Sequence, residues 1–185
     1  MMSDSAFANR ATIRASTEAD MKAVTAIYSH YVLHSTVSFE TEAPTLAEMV
    51  RRRAALLAQG FPHIVAEIDG AVVGYAYAGT YRARSAYRST VENTVYLHPD
   101  ALRRGLGRQL LAAVIDACAA SGFRQVIAVI GGATNIASVR LHAALGFRHV
   151  GVIESVGFKH GTWLPTTLMQ RALGAADTIP PTVAE

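Results

Sequence analysis

The sequence predicts an α+β domain: a mixed, mostly antiparallel central sheet flanked by helices. Three observations predict it. Residues 63–68 and 71–78 are two β-prone runs joined by Asp69-Gly70, a pair that favours a tight hairpin turn. Residues 90–97 form a further β-prone run that stops at Pro99, passes through a basic loop with two glycines and enters an apolar-striped helix. Residues 125–130 then form a fully apolar strand, which gives one βαβ step. An antiparallel meander with a single parallel step is α+β rather than doubly wound.

The elements follow in the order β-α-α-β-β-β-α-β-α-β-β. Residues 11–15 form a short strand. Ser16 or Thr17 caps a helix over 18–33, with Met21, Val24, Ile27, Tyr28 and Tyr31 on one face. Residues 34–39 are a β-branched connector. Thr45 caps a second helix to Ala58, with Leu46, Met49, Val50, Ala54 and Leu57 inward and Gly60 after its end. The hairpin comes next, then a polar, basic loop over 81–89 and the strand 90–97. The helix over 106–121 places Leu106, Leu110, Leu111, Val114, Ile115 and Cys118 on one stripe. After the strand 125–130, a helix over 135–145 is ended by Gly146, and residues 149–156 and 166–172 close the sheet. Residues 1–10 read as a flexible leader, 11–173 as one domain and 174–185, with Pro180-Pro181, as a flexible tail.

A chain of 185 residues, 51% hydrophobic and 17% charged, buries a full core and is not a disordered polymer. Its net charge of +3 suits a small anionic ligand. Nucleic acid is not expected, because no Lys/Arg run is interleaved with aromatics. No apolar stretch reaches the roughly 18 residues of a membrane span, and the N-terminus lacks a signal pattern, so a cytoplasmic location is expected. The single cysteine, Cys118, excludes an internal disulfide and a cysteine-cluster metal site, and reads as a buried small hydrophobe. His30 and His34 stand four apart but have no third ligand or carboxylate beside them, so no metal is expected.

The segment from Val95 to Arg108 carries the most information. A strand–loop–helix points free backbone N–H groups at one spot beside the positive end of a helix dipole, which makes an anion site suited to a pyrophosphate. Gly105-Leu106-Gly107 lacks the third glycine of a dinucleotide fingerprint and follows a late strand; the Gly-Lys-Ser/Thr of a phosphate loop is absent.

Leu102-Arg103-Arg104-Gly105-Leu106-Gly107 resembles the Gln/Arg-x-x-Gly-x-Gly/Ala signature of the GNAT superfamily of N-acetyltransferases, with Leu102 at the position of the usual Gln or Arg. The stretch from Asn135 through Ser138, Leu141-His142 and Gly146-Phe147 resembles that family's second signature, Asn-x-x-Ala/Ser-x-x-Leu/Phe-Tyr/His-x-x-x-Gly-Phe. Finer segments are similar to the phosphinothricin and methionine sulfoximine branch: residues 35–40, 81–92, 141–142 and 158–163. Pro165 departs from that branch, where an Asp is common.

The resemblance implies the GNAT fold and acetyl-CoA as cosubstrate, with no metal. It implies a cofactor site at Val95, Tyr96, Leu97, Arg103, Arg104, Gly105, Leu106, Gly107, Arg108, Asn135 and Ser138. It also implies a small amino-acid-type acceptor such as phosphinothricin, methionine sulfoximine or methionine sulfone, herbicide resistance as a possible side activity, and a homodimer. Chemically, an α-amine must lose a proton before or during attack on a thioester. Glu92 is the acid on the strand beside the cofactor, and alternation places Glu92, Thr94 and Tyr96 on one face and Val91, Asn93 and Val95 on the other. His142 stands where many members carry a tyrosine that protonates the leaving thiolate; it is read either as an acid–base group or as a structural histidine. The resemblance implies that a strand N–H at about Tyr96 or Leu97 meets the developing oxyanion. Arg82, Arg84 and Lys159 are the expected anion partners of the acceptor, Phe39 and Tyr87 its walls, and Asn93 and Thr94 its neighbours beside Glu92. Two alternatives stay open: an acetyltransferase for a polyamine, peptide N-terminus or aminoglycoside, and a non-catalytic acetyl-CoA-binding module.

Overall fold

The computed structural model describes residues 11–132 and 135–181. The expected leader and the last four residues of the expected tail lie outside the described residues. The chain runs β1 (Thr12–Ala15), α1 (Met21–His34), α2 (Leu46–Ala58), β2 (His63–Ile68), β3 (Ala71–Thr80), β4 (Thr90–Leu97), α3 (Leu106–Ala120), β5 (Gln125–Gly131), α4 (Ile136–Ala143), β6 (Arg148–Lys159) and β7 (Thr162–Ala172). The strands form one seven-stranded sheet in the order β1-β2-β3-β4-β5-β7-β6. Only β4 and β5 pair parallel, across the α3 crossover.

Local sequence chemistry starts and stops these elements. The Thr45 hydroxyl accepts the Glu48 N–H and opens α2. Residues 18–20 take a tighter 3-10 turn instead of joining α1, because the Asp20 carboxylate turns back to accept the Thr17 N–H at 2.6 Å. Arg14 clamps that turn to the sheet, reaching Asp20 at 2.7 Å and Glu67 at 2.6 Å. The guanidinium holds the Asp20 carboxyl well below the usual carboxylate range.

Strand alternation divides the core between the two faces of the sheet. Val65 and Tyr75 pack with Met21, Val24, Ile27 and Met49 under α1 and α2. Their neighbours Ala66 and Ala76 face the other way, into the cluster of Leu110, Leu111, Val114, Ile115 and Cys118 beneath α3. Each large aliphatic group in that stripe contributes about 1.5–3 kcal/mol by leaving water. Cys118 is buried, and its thiol is pushed up to about 12 by desolvation, which makes it an inert part of the core.

The last two strands are longer than their hydrophobic pattern suggests. They form one hairpin that turns at His160 and Gly161, both at positive φ. Its register slips between Ile153↔Thr166 and Gly157↔Leu164, so three β6 residues oppose Pro165 alone. Proline has no N–H to give to the ladder, and this bulge is where none is required. Residues 174–181 turn back over the β5 entrance, where the Pro180 carbonyl accepts from Arg124 at 3.3 Å.

Candidate active site

The site begins as a parting of strands. β4 pairs with β3 from Thr80↔Val91 to Gly74↔Leu97 without a break. Its pairing with β5 stops at Asn93↔Ala128. Beyond that point β5 pairs only with β7, and a gap opens in the sheet. The His98 N–H reaches back to the Val73 carbonyl at 2.8 Å. Backbone alternation therefore aims the N–H groups of Val95 and Leu97 into the gap and that of Tyr96 at β3. The Leu97 carbonyl, on the gap side, accepts the Tyr31 hydroxyl at 2.7 Å. The expectation of a Tyr96 backbone donor is thus corrected to Val95, with Leu97 retained.

A cleft of about 1020 Å³ passes through this gap. At one end lie Leu102, Arg103, Gly105, Leu106, Gly107 and Arg108. Gly105 takes φ 76°, a left-handed conformation, and turns the chain into α3. The first helical turn leaves the N–H groups of Leu106, Gly107 and Arg108 without intrahelical acceptors. An added Cβ on Gly107 would lie 3.4 Å from Leu141 and 3.6 Å from Leu97, an ordinary packing distance, so the space beside this residue would admit a methyl group. Leu102 is half exposed on the rim, and Arg104 is exposed and lies outside the lining.

On the opposite face, beneath α1, the cleft is walled by Tyr28, Tyr31, Tyr77, Tyr96, Ser38 and Phe39. Two carboxylates reach it, and their surroundings differ. Glu40 accepts the Tyr28 hydroxyl at 2.9 Å and pairs with Arg52 at 2.6 Å. Glu92 makes no hydrogen bond or ion pair among the described residues, and burial raises its pKa. Glu92 is therefore a half-buried, uncommitted carboxylate with enhanced basicity. Thr94 lies beside it on the same face of β4, opposite Tyr77 of β3.

His142 lies on the α3/α4 side and is buried. Its Nδ1 is 2.7 Å from the Ser138 carbonyl, and its Nε2 is 2.9 Å from the Asn93 Nδ2. A carbonyl can only accept, so Nδ1 carries the proton and Nε2 accepts from the Asn93 amide. Burial lowers the His142 pKa, partly opposed by the Ser138 carbonyl. The ring meets Phe147 edge to face at 4.9 Å. Asn135 caps α4, accepting the Ser138 N–H at 3.3 Å and donating to the Gly131 carbonyl at 3.3 Å. Asn135, Ser138 and His142 all line the cleft.

Four residues expected at the acceptor lie elsewhere. Arg82 is exposed, with its guanidinium 5.3 Å from the Tyr81 ring and 5.9 Å from the Tyr87 ring. Arg84 and Tyr87 are exposed on the same loop, outside the cleft lining. Lys159 is buried, and its ammonium donates to the Ser38 carbonyl at 2.7 Å instead of facing the cleft. Its pairing with a backbone 121 positions earlier leaves no trace in local sequence. Conversely, Tyr28 and Tyr31 belong to the face of α1 expected to be core, and they line the cleft as well. No cluster of metal ligands occurs among the described residues, and no described helix is long and apolar enough to cross a membrane.

A helix-terminal anion site joined through a split sheet to a free carboxylate defines an acyl-transfer site. The family model for the acetyltransferase (GNAT) domain matches residues 13–168, and the chain belongs to this family. It is 51% identical over 170 residues to the phosphinothricin N-acetyltransferase of Alcaligenes faecalis, covering 92% of this chain and 86% of that protein. It is 39% identical over 162 residues to the L-methionine sulfoximine/L-methionine sulfone acetyltransferase of Salmonella typhimurium, covering 88% of this chain and 94% of that one. The crystal structure of a GNAT superfamily phosphinothricin acetyltransferase from Sinorhizobium meliloti, in complex with AcCoA, superposes with a TM-score of 0.90 at 46% identity and 93% coverage of both chains.

Proposed function

We propose that this protein transfers the acetyl group of acetyl-CoA to the α-amine of an amino-acid analogue such as phosphinothricin, methionine sulfoximine or methionine sulfone. The observation that carries this reading is the cleft through the sheet, which joins the α3 N-terminus on one face to Glu92 on the other. The donor fits what the residues offer. The α3 terminus, Arg103 and Arg108 suit a pyrophosphate. The open edges at Val95 and Leu97 suit an extended arm that carries amides, in the way an edge strand suits a neighbour.

Glu92 takes the proton from the attacking ammonium, directly or through one water. The amine nitrogen bonds to the acyl carbon, the carbon–sulfur bond breaks, and the thiolate leaves. One of the two gap-facing N–H groups, that of Val95 or that of Leu97, meets the carbonyl oxygen as it gains charge, and the other is left for the arm, because the two stand about 7 Å apart along the strand. A thiolate is a good leaving group and needs no strong acid, so His142 has no required proton to supply.

A turnover screen tests the assignment: acetyl-CoA with phosphinothricin, methionine sulfoximine, methionine sulfone, ordinary amino acids and a polyamine, read by release of free thiol. Turnover on the analogues is expected. Acetylation of the polyamine alone would move the acceptor to another class, and no turnover on any amine would favour a non-catalytic binding module.

We also propose a homodimer. The outer hairpin exposes Val150, Val152, Val156, Phe158 and Trp163, each 46–62% accessible, as one apolar run that a second copy would cover. Light scattering at micromolar concentration should give twice the chain mass of 19.7 kDa.

A further inference from the structure

The connector between α1 and α2 carries Phe39 into the cleft, although residues 35–45 form no helix or strand. What fixes it comes from the far end of the chain. A Cβ on Gly157 would lie 2.4 Å from Cε2 of Phe39, and one on Gly131 would lie 2.8 Å from its Cε1. The ring fills the space of two absent side chains, one on β6 and one on β5. Neither glycine has positive φ, so the backbone does not demand glycine at either place. Glycine inside a strand weakens it, and the compensation here is close approach of a ring.

The same connector is held from both sides at the preceding residue. The Ser38 carbonyl accepts from the buried Lys159 ammonium at 2.7 Å, and the Ser38 hydroxyl lies 3.0 Å from that of Tyr28. Lys159 and Gly157 belong to β6, and Phe39 faces the side of the sheet that carries Glu92.

We propose that Gly157, Gly131 and Lys159 are positioning residues for acceptor selection: they seat Phe39 and the Ser38 peptide, and so set which side chains the acceptor pocket admits. This rests on the acetyltransferase reading for its kinetic consequence, though not for the seat itself. The seat acts on the acceptor and leaves the donor end untouched, because Phe39 lies across the gap from the α3 terminus.

The test is Gly157→Ala, with Gly151→Ala as the control on the same strand, where an added Cβ meets nothing within 4 Å. The KM for methionine sulfone should rise at least about fivefold in Gly157→Ala, the effect of forcing one carbon into filled space. The KM for acetyl-CoA should not move, and Gly151→Ala should change neither. In a Phe39→Val background the ring atoms are gone, and Gly157→Ala should add nothing further. Lys159→Met, which keeps the length and removes the donor, should raise the acceptor KM as well. Equal rises in both KM values, an unchanged acceptor KM in Gly157→Ala, or the same rise in the Phe39→Val background would overturn the proposal. A ¹⁹F label on Phe39 reads the seat without catalysis: its resonance should shift in Gly157→Ala and not in Gly151→Ala. If the wild type acetylates no amine, the functional reading falls while this shift still decides the seat.

Discussion

His142 and Asn93 lock each other: the ring Nε2 accepts the Asn93 amide at 2.9 Å while Nδ1 donates to the Ser138 carbonyl at 2.7 Å. Both nitrogens are spent, and burial keeps the imidazole neutral. A ring in this state is poorly placed to trade protons with a substrate. His142→Gln, whose side-chain oxygen can still accept from Asn93, should retain kcat within about tenfold. A fall as deep as that of a Glu92 variant would restore His142 as an acid–base group.

Glu92 should carry the proton transfer. Glu92→Gln is expected to lower kcat by about 10²–10⁴-fold, the usual worth of a positioned base, with little change in acetyl-CoA affinity by calorimetry.

The pH profile gives an independent reading of the same group. A base works only when ionised, and burial raises the Glu92 pKa above its ordinary 4.5. Activity should therefore fall on acidification through a limb that sits above the usual carboxylate range. That limb should vanish from the residual activity of Glu92→Gln.

Gly105 separates conformation from contact at the anion loop. Its φ is 76°, and an added Cβ would meet nothing within 4 Å, so any penalty is backbone strain. Gly105→Val should cost about 1–2 kcal/mol in the left-handed region and raise the acetyl-CoA KM. Gly105→Asn, which tolerates that region, should be milder on both counts. Equal effects of the two would mean that the loop does not hold this conformation in solution.

His63 makes the fold acid-sensitive. It is 4% exposed, stacks at 5.8 and 5.6 Å on Tyr75 and Tyr77, and has no partner for Nδ1. Burial, with Arg53 nearby, pushes its pKa from 6.5 down to about 4. The unfolded chain thus binds a proton that the folded one refuses. The contribution is fully present above pH 6.5 and is lost as pH falls toward 4. The loss is on the order of 3 kcal/mol. Urea midpoints measured across that window should show this slope, and His63→Phe should flatten it.

What the sequence made legible is what is local. The glycine spacing at Gly105 and Gly107, the apolar stripe of α3 and the Asn135 cap are set by neighbours within a turn or two, and all stand where expected. The placement of Glu92 and Thr94 on one face and Asn93 on the other follows from period-two alternation, which β4 keeps without a register shift. What escaped is set by distance. Lys159 reads as a basic group near an acidic substrate until the Ser38 carbonyl is seen beside it. The full β6–β7 hairpin is masked by Gly157 and Pro165, two residues that ordinarily break strands and here mark a ring seat and a bulge. His63 offers no local hint of its aromatic stack, because its partners sit on the next strand.

The parting of β4 from β5 also bears on how the molecule holds together. Among the described residues, four residue pairs, from Thr90↔Gln125 to Asn93↔Ala128, join the first four strands to the last three, extended at one end by the Ser89 carbonyl, which accepts the Arg124 N–H at 2.8 Å. A ligand lying in the gap touches both sides of that seam and acts as its keystone. Thermal melting should rise with acetyl-CoA, by about 2.7 kcal/mol of added stability at a hundred times its Kd. Amide exchange should slow most in residues 93–97 and 128–131, where the substrate takes the place of the strand pairing that the chain itself leaves out.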